Sequence, residues 1–219
     1  MRITDKLTIT NEDNMILMSR YPDNYFELAI VDPPYGINGD KGIQKNEGKF
    51  GFKKHKNTNW DNSIPTKEYF DELKRVSKNQ IIWGGNYFTE FLPPKMCWLS
   101  WFKSQTNFSF SDFELAWTSF DTKCRQFELI RGFDEKGKHY SQDNSRIHPT
   151  QKPLALYKFC LEYYAKDGDK ILDTHLGSGS IALACHDYGF ELTACELDTE
   201  YYDKAVQRIQ NHVAQQKLF

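Results

Sequence analysis

Short apolar, β-prone runs alternate along the chain with stretches whose apolar residues recur every three to four positions. The runs predict strands over 7–10, 27–31, 80–83, 96–101, 114–118, 170–173 and 191–195. The helical spacing predicts helices over 66–77, 153–166, 180–188 and 199–213. A first-turn proline loses no helical hydrogen bond, so Pro153 marks a helix start. Strands separated by helices imply an α/β fold: a mostly parallel sheet with helices on both faces. Two stretches escape the pattern, 36–59 and 121–147. In α/β sheets, long loops leaving the carboxyl ends of strands carry function.

The chain has 219 residues, enough for one domain over 1–219 with a full core. No apolar run is long enough to cross a bilayer, and Met1-Arg2-Ile3-Thr4-Asp5 lacks the apolar segment of a secretory signal. A soluble, cytoplasmic protein is the expectation. Cys97, Cys124, Cys160, Cys185 and Cys195 are odd in number and contain no C-x-x-C pair, which suggests neither a disulfide framework nor a metal site. Aromatic residues reach 15%, a surplus that suits stacking although most such rings belong in a core.

The net charge of -2 makes the whole molecule no trap for nucleic acid, so the distribution of charge matters more. Lys41, Lys45, Lys49, Lys53, Lys54 and Lys56 fall in a glycine-punctuated basic loop, 41–58, with Glu47 as its one acid. Lysine-rich runs are usually solvated loops, but this one follows a chemically unusual turn and could close over phosphates. A second cluster runs through Lys123, Arg125, Arg131, Lys136, Lys138, His139 and Arg146. The first is expected to contact phosphates and the second, a short target-recognition insert at 121–147, to contact bases.

The unusual turn is Asp32-Pro33-Pro34-Tyr35, directly after the apolar run Leu28-Ala29-Ile30-Val31. Proline fixes its own φ and disfavours helix in the residue before it, so the segment forms a rigid platform. A carboxylate and nearby carbonyls accept hydrogen bonds from an amino group, and the Tyr35 ring can stack on something flat. That pair of properties suits the exocyclic amine of a nucleobase. Taken alone, the same residues also make an ordinary loop.

A second constellation, Asp173-Thr174-His175-Leu176-Gly177-Ser178-Gly179-Ser180, reads as strand end, glycine turn and helix start. Glycines let a backbone approach a ligand, and the helix start aims amides at it. The next strand ends at Glu196, about 20 residues past the glycines, where a Rossmann-like unit holds a ribose diol. Asp198 reads instead as a helix N-cap. There is no third glycine and no following lysine, so a nucleoside ligand without pyrophosphate, such as S-adenosylmethionine, fits better than a dinucleotide.

Together with His148-Pro149-Thr150-Gln151-Lys152-Pro153, these motifs resemble those of the amino-group DNA methyltransferases. Their order, catalytic turn first and cofactor loop last, resembles the circularly permuted β group. Asn11-Glu12-Asp13 and Trp83-Gly84-Gly85-Asn86 resemble two further segments of that family. Asp173-Thr174-His175 stands where the family usually has Asp-Pro-Phe.

The resemblance implies a Rossmann-like methyltransferase that transfers a methyl group from S-adenosylmethionine to the N6 amino group of a flipped adenine in double-stranded DNA. It implies a catalytic role for Asp32, Pro33, Pro34 and Tyr35. For the cofactor it implies Asp13, Asp32, Thr150, Gln151, Lys152, Asp173, His175, Gly177, Ser178, Gly179 and Glu196, with Thr150 to Lys152 at the methionine end. A second copy of the chain and a cognate restriction endonuclease are the protein partners it suggests, in a bacterial cell or encoded by its phage. Cytosine N4 methylation is the alternative on the same fold; RNA or protein methylation, and a catalytically weak DNA-binding module, are more distant ones.

Overall fold

The computed structural model describes residues 1–37, 61–103, 111–129, 147 and 150–215. The six lysines of the 41–58 loop, Arg131 and most of 121–147 lie outside the described residues, as do His148 and Pro149. Eight strands make one sheet among those described: β1 (Leu7–Asn11), β2 (Phe26–Val31), β3 (Ser77–Trp83), β4 (Trp98–Phe102), β5 (Phe113–Thr118), β6 (Arg125–Glu128), β7 (Lys170–Asp173) and β8 (Glu191–Glu196). Their spatial order is β1-β8-β7-β2-β3-β5-β4-β6. The β5 strand runs antiparallel to both its neighbours, while the other described pairings are parallel.

Alternation along the central strands explains why both faces are covered. Leu28 and Ile30 of β2 join one buried cluster, whereas Ala29 and Val31 join the other. On the first face lie α3 (Leu154–Tyr164), α4 (Ser180–Tyr188) and α5 (Thr199–Ala214), through Leu156, Ile181 and Ile209 among others. On the second lie α1 (Asn14–Ser19) and α2 (Lys67–Val76), through Leu17, Phe70 and Leu73. A strand buried on both faces must be apolar at successive positions, which is what Leu28 to Val31 shows.

The expected strands and helices are all present, with shifts at their ends. Helix α2 stops at Val76, because Ser77 is already extended (φ -128°, ψ 138°) and pairs opposite Phe26. The β3 strand therefore begins four polar residues before its apolar run. Pro153 is the extended N-cap of α3 (φ -63°, ψ 142°) rather than a first-turn residue.

Two elements carried no periodic signal. The α1 helix has six residues, and β6 is an edge strand of sequence Arg-Gln-Phe-Glu that no apolar run announces. No helix among the described residues is long and apolar enough to cross a membrane.

The strand order fixes where a ligand can bind. From β2 the chain passes to β3 by way of α2 on one face; from β7 it passes to β8 by way of α4 on the other. Neighbouring strands whose crossovers leave on opposite faces open a crevice at their carboxyl ends. That crevice lies between β2 and β7, which run in step with Leu28 opposite Ile171 and Ala29 opposite Leu172. Asp32 and Asp173 end the two strands on the same edge of the sheet.

Candidate active site

The turn after β2 is held by hydrogen bonds from three directions. Tyr35 donates its hydroxyl to Asp32 Oδ1 at 2.6 Å, closing the turn on itself. The amides of Tyr35 and Gly36 both donate to Asp61 Oδ1 at 2.8 Å. Asp61 is buried, and no local motif singled it out: its role exists only once the chain has returned from the 38–60 segment. Burial, then the negative charges of Asp32 and Glu114, push the Tyr35 hydroxyl well above its ordinary range, so it remains a phenol and a donor.

Lys152 completes the turn from the segment before α3. Its Nζ lies 2.6 Å from Asp32 Oδ2, 3.1 Å from Tyr35 Oη and 3.2 Å from Glu114 Oε2. An ammonium has three hydrogens, and three acceptors take them. Burial alone would lower the pKa of Lys152, but Asp32 and Glu114 outweigh it and the group is held above its ordinary value. The resemblance implied that Lys152 lies at the methionine end of a cofactor; its ammonium is turned to the Asp32 carboxylate. Gln151 braces the same segment by accepting from the Ile147 amide at 3.1 Å, and Thr150 is half-buried beside it.

The Tyr35 ring lies flat against Tyr87, with centroids 5.0 Å apart and planes 17° apart. Tyr87 is 40% exposed although it is a large ring, so it sits over Tyr35 without being locked in the core. Gly84 lies close to Tyr35 in turn: a β-carbon there would stand 2.2 Å from Tyr35 Cε1. A base can stack on Tyr35 at the face Tyr87 covers only if Tyr87 moves.

Across the crevice, the glycines after β7 divide their work. Gly177 (φ +53°) has nothing nearer its missing β-carbon than the His175 carbonyl at 3.9 Å, so its backbone is open to a ligand. Gly179 (φ +76°) would press a β-carbon to 3.1 Å from Ile209, so its bareness serves the packing of α5. Glu196 accepts from the Gly177 amide at 2.8 Å and the Asp198 amide at 3.0 Å. Each carboxylate oxygen has a second lone pair, which leaves capacity for a ribose diol. Burial pushes its pKa up.

Asp198 caps α5 by accepting from the Tyr201 amide at 3.0 Å, as its sequence position indicates. Asp13 likewise caps α1, accepting from Met15 and Ile16 amides at 2.8 and 3.3 Å. Arg208, from α5, donates to the Ser178 carbonyl at 2.7 Å and Ser180 Oγ at 3.1 Å, which ties the glycine turn to the helix behind it.

Asp173 is buried and accepts from the His175 amide at 3.0 Å; burial pushes its carboxyl up to about 8. The His175 ring lies edge-on to Tyr69 (5.3 Å) with its nitrogens near Asn14 Nδ2 (3.1 Å) and Thr174 Oγ1 (3.0 Å). Burial pushes its pKa down to about 4, so the ring is neutral at pH 7. It thus accepts from Asn14 and donates to Thr174, and fills the position as a flat neutral ring. Cys160 is buried and pushed up to about 12, an inert thiol.

Arg125, expected at the DNA, lies in the edge strand. It opens β6, which is parallel to β4, and so stands at the opposite edge of the sheet from Asp32. Its guanidinium lies 4.0 Å from the Tyr163 ring centroid of α3, a stacking contact that anchors the edge strand.

A family model described as DNA methylase, of the N6/N4 amino-group methyltransferases, matches residues 43–207. The chain belongs to this family. Its similarity to type II methyltransferase M.HpaI of Haemophilus parainfluenzae is 24% identity over 226 residues, 85% of this chain and 69% of that protein. Type II methyltransferase M.XycI of Xanthomonas campestris pv. cyanopsidis is 35% identical over 63 residues, 29% of this chain and 21% of that protein.

Three solved structures share the fold. M1.HpyAVI in complex with SAM has a TM-score of 0.58 at 18% identity, covering 92% of this chain and 98% of that one. TTHA0409 from Thermus thermophilus, complexed with S-adenosyl-L-methionine, has a TM-score of 0.60 at 13% identity, covering 95% of each chain. The cytosine-N4-specific PvuII DNA methyltransferase has a TM-score of 0.60 at 11% identity, covering 94% of this chain and 91% of that one. The Rossmann-like α/β methyltransferase fold expected from the motifs is therefore the one the chain adopts.

Proposed function

We propose that this DNA methyltransferase is a site-specific adenine-N6 enzyme acting on a base flipped out of the duplex. S-adenosylmethionine is its methyl donor and supplies an electrophilic methyl group on a sulfonium. The observation that carries the reading is the Asp32 carboxylate at the mouth of the β2/β7 crevice, ringed by Tyr35 and Lys152 and across from the open backbone of Gly177.

The amino nitrogen of adenine is a poor nucleophile because its lone pair is conjugated into the ring. Asp32 accepts a hydrogen bond from one amino N–H and the Pro33 carbonyl from the other, which draws the nitrogen towards sp³ and aims its lone pair at the methyl group; one proton leaves after transfer. Positive charge grows on nitrogen during transfer, and a fixed carboxylate stabilises it. Pro34 stiffens the turn, and Tyr35 stacks on the base once Tyr87 has swung aside. Glu196 holds the ribose hydroxyls, the Gly177 to Gly179 turn, Asp173 and His175 flank the methionine portion, and Asp13 borders the adenine. The lysines of 41–58 hold phosphates, and Arg131 lies in the segment that reads bases. Dimerisation, a cognate restriction endonuclease and the cytoplasm of a bacterium complete the proposal.

Methyl transfer from labelled S-adenosylmethionine into mixed-sequence duplex DNA, digested to nucleosides for mass analysis, tests it. N6-methyldeoxyadenosine is expected. N4-methyldeoxycytidine would keep the mechanism and overturn the base; no label in DNA would overturn both. Asp32→Ala is expected to lower turnover by about 10² to 10³ while the fold survives.

A further inference from the structure

Glu114 belongs to none of the motifs, yet it stands within a line of alternating charges that starts at the catalytic turn. It lies on β5, the antiparallel strand, and splits its carboxylate between two lysines. Glu114 Oε2 is 3.2 Å from Lys152 Nζ, and Oε1 is 2.6 Å from Lys103 Nζ. Lys103 is itself buried just past the end of β4, its amide donating to the Asp112 carbonyl. The order is Lys103, Glu114, Lys152, Asp32: two cations and two anions in alternation, leading from the end of β4 into the site.

A lysine ammonium on a four-carbon stem goes where its acceptors are, because the stem itself fixes little. Lys152 stands between two carboxylates, close to Asp32 and slightly farther from Glu114. Its ammonium occupies one oxygen of the carboxylate that must accept a hydrogen bond from the target amine. Something has to receive the ammonium when the amine arrives. Glu114 is already within reach, and Lys103 keeps Glu114 charged and aimed.

We propose that Glu114 is a positioning residue for methyl transfer: it shares Lys152 with Asp32 and takes over the ammonium when the target amino group binds. Lys152 is then a stand-in for the amino group, and Glu114 is the acceptor that lets it withdraw without leaving a buried charge unpaired. The inference rests on amino-group transfer at Asp32 and is indifferent to whether the base is adenine or cytosine.

The groups around the ammonium set its response to pH. Asp32 and Tyr35 act on it from the β2 turn, Asp173 from β7, Cys160 from α3, and Glu114 from β5 with Lys103 behind it. Loss of the Glu114 charge removes one of the two anions that hold Lys152 protonated, so the ammonium gives up its proton at lower pH.

The test is single-turnover methylation by the full chain from about pH 6 to about pH 11, a span that takes in the ordinary lysine value of about 10.4. It compares wild type with Glu114→Gln and Lys103→Met. Cofactor affinity is measured separately by titration with S-adenosylmethionine. For Glu114→Gln, a rate lower by roughly ten- to a hundredfold is expected, with the alkaline limb of the profile moved to lower pH and cofactor affinity unchanged. Lys103→Met removes a cation that competes with Lys152 for Glu114, so it should move the limb the other way, to higher pH. If Glu114→Gln does not fold, the Lys103→Met profile decides alone.

An unchanged rate and profile would overturn the proposal. So would a loss uniform across pH, which is the mark of a merely structural role. Asp32→Ala serves as the control: if it stays active, the catalytic reading itself is wrong. If it is inactive while Glu114→Gln behaves as wild type, only the role of Glu114 falls.

Discussion

A β-carbon on Gly84 would stand inside the Tyr35 ring, and the residue's φ of +72° already disfavours any side chain by about 1–2 kcal/mol. Gly84→Ala should therefore displace Tyr35 and, with it, the hydroxyl bonded to Asp32. Turnover is expected to fall by about 10²-fold, the scale of an ångström's misplacement, measured against a cofactor titration that stays near wild type.

The two titrating residues beside the crevice act on stability with opposite signs. His175 is pushed to about 4, below the ordinary unfolded value of about 6.5, so the unfolded chain binds more protons in that window and stability falls as pH drops through it. Asp173 is pushed to about 8, above the unfolded value of about 3.9; there the folded chain binds more protons and stability falls as pH rises from about 4 to about 8. Thermal melts across pH should show His175→Asn blunting the acid-side loss and Asp173→Asn the loss on the other side.

Residues whose work is local were legible: Asp32, Tyr35 and Gly177 act within a few positions of themselves. Lys152 was found, but its direction was not, because Glu114 and Asp61 reach the turn only through the tertiary fold. Tyr87, three residues into its own turn, gave no sign that it covers Tyr35.

At the level of elements, the glycine turn is only as rigid as the helix behind it. Arg208 reaches from α5 to the Ser178 carbonyl and Ser180 hydroxyl, and hydrogen bonds from a charged group are worth about 1.5–3 kcal/mol. Arg208→Met is expected to raise the KM for S-adenosylmethionine by about tenfold while the KM for DNA holds, since none of the proposed DNA contacts is a residue of this turn. Asp198→Ala removes the cap of α5 and should cost about 1 kcal/mol in a denaturant titration.

Elements that bury a whole face announced themselves, as α4 did to the residue, ended by Gly189 in the left-handed region. Elements held by a single neighbour did not. The α1 helix depends on one cap at Asp13, and β6 on its pairing with β4 and the stacking of Arg125 on Tyr163. The polar start of β3 was invisible for the same reason: Ser77 is extended because Phe26 lies opposite, not because of its own side chain.

For the whole molecule, sheet order mattered more than strand count. Alternation showed an α/β protein and the motif order showed the permutation, but the crevice exists because β2 and β7, distant in the chain, are neighbours in space. The first and last parts of the chain also meet at β1 and β8. This seam has a consequence for when the protein becomes an enzyme. A ribosome that has completed β6 has made the whole Asp32 to Tyr35 turn, yet the strand that must lie beside it and the turn that faces it are still unmade. Activity therefore arrives in one step, late in synthesis, and a nascent chain near DNA is harmless to it. Two pieces divided between β6 and α3 should each be inert and should regain methylation together, because the site is made by the zipping of the early strands onto the late ones.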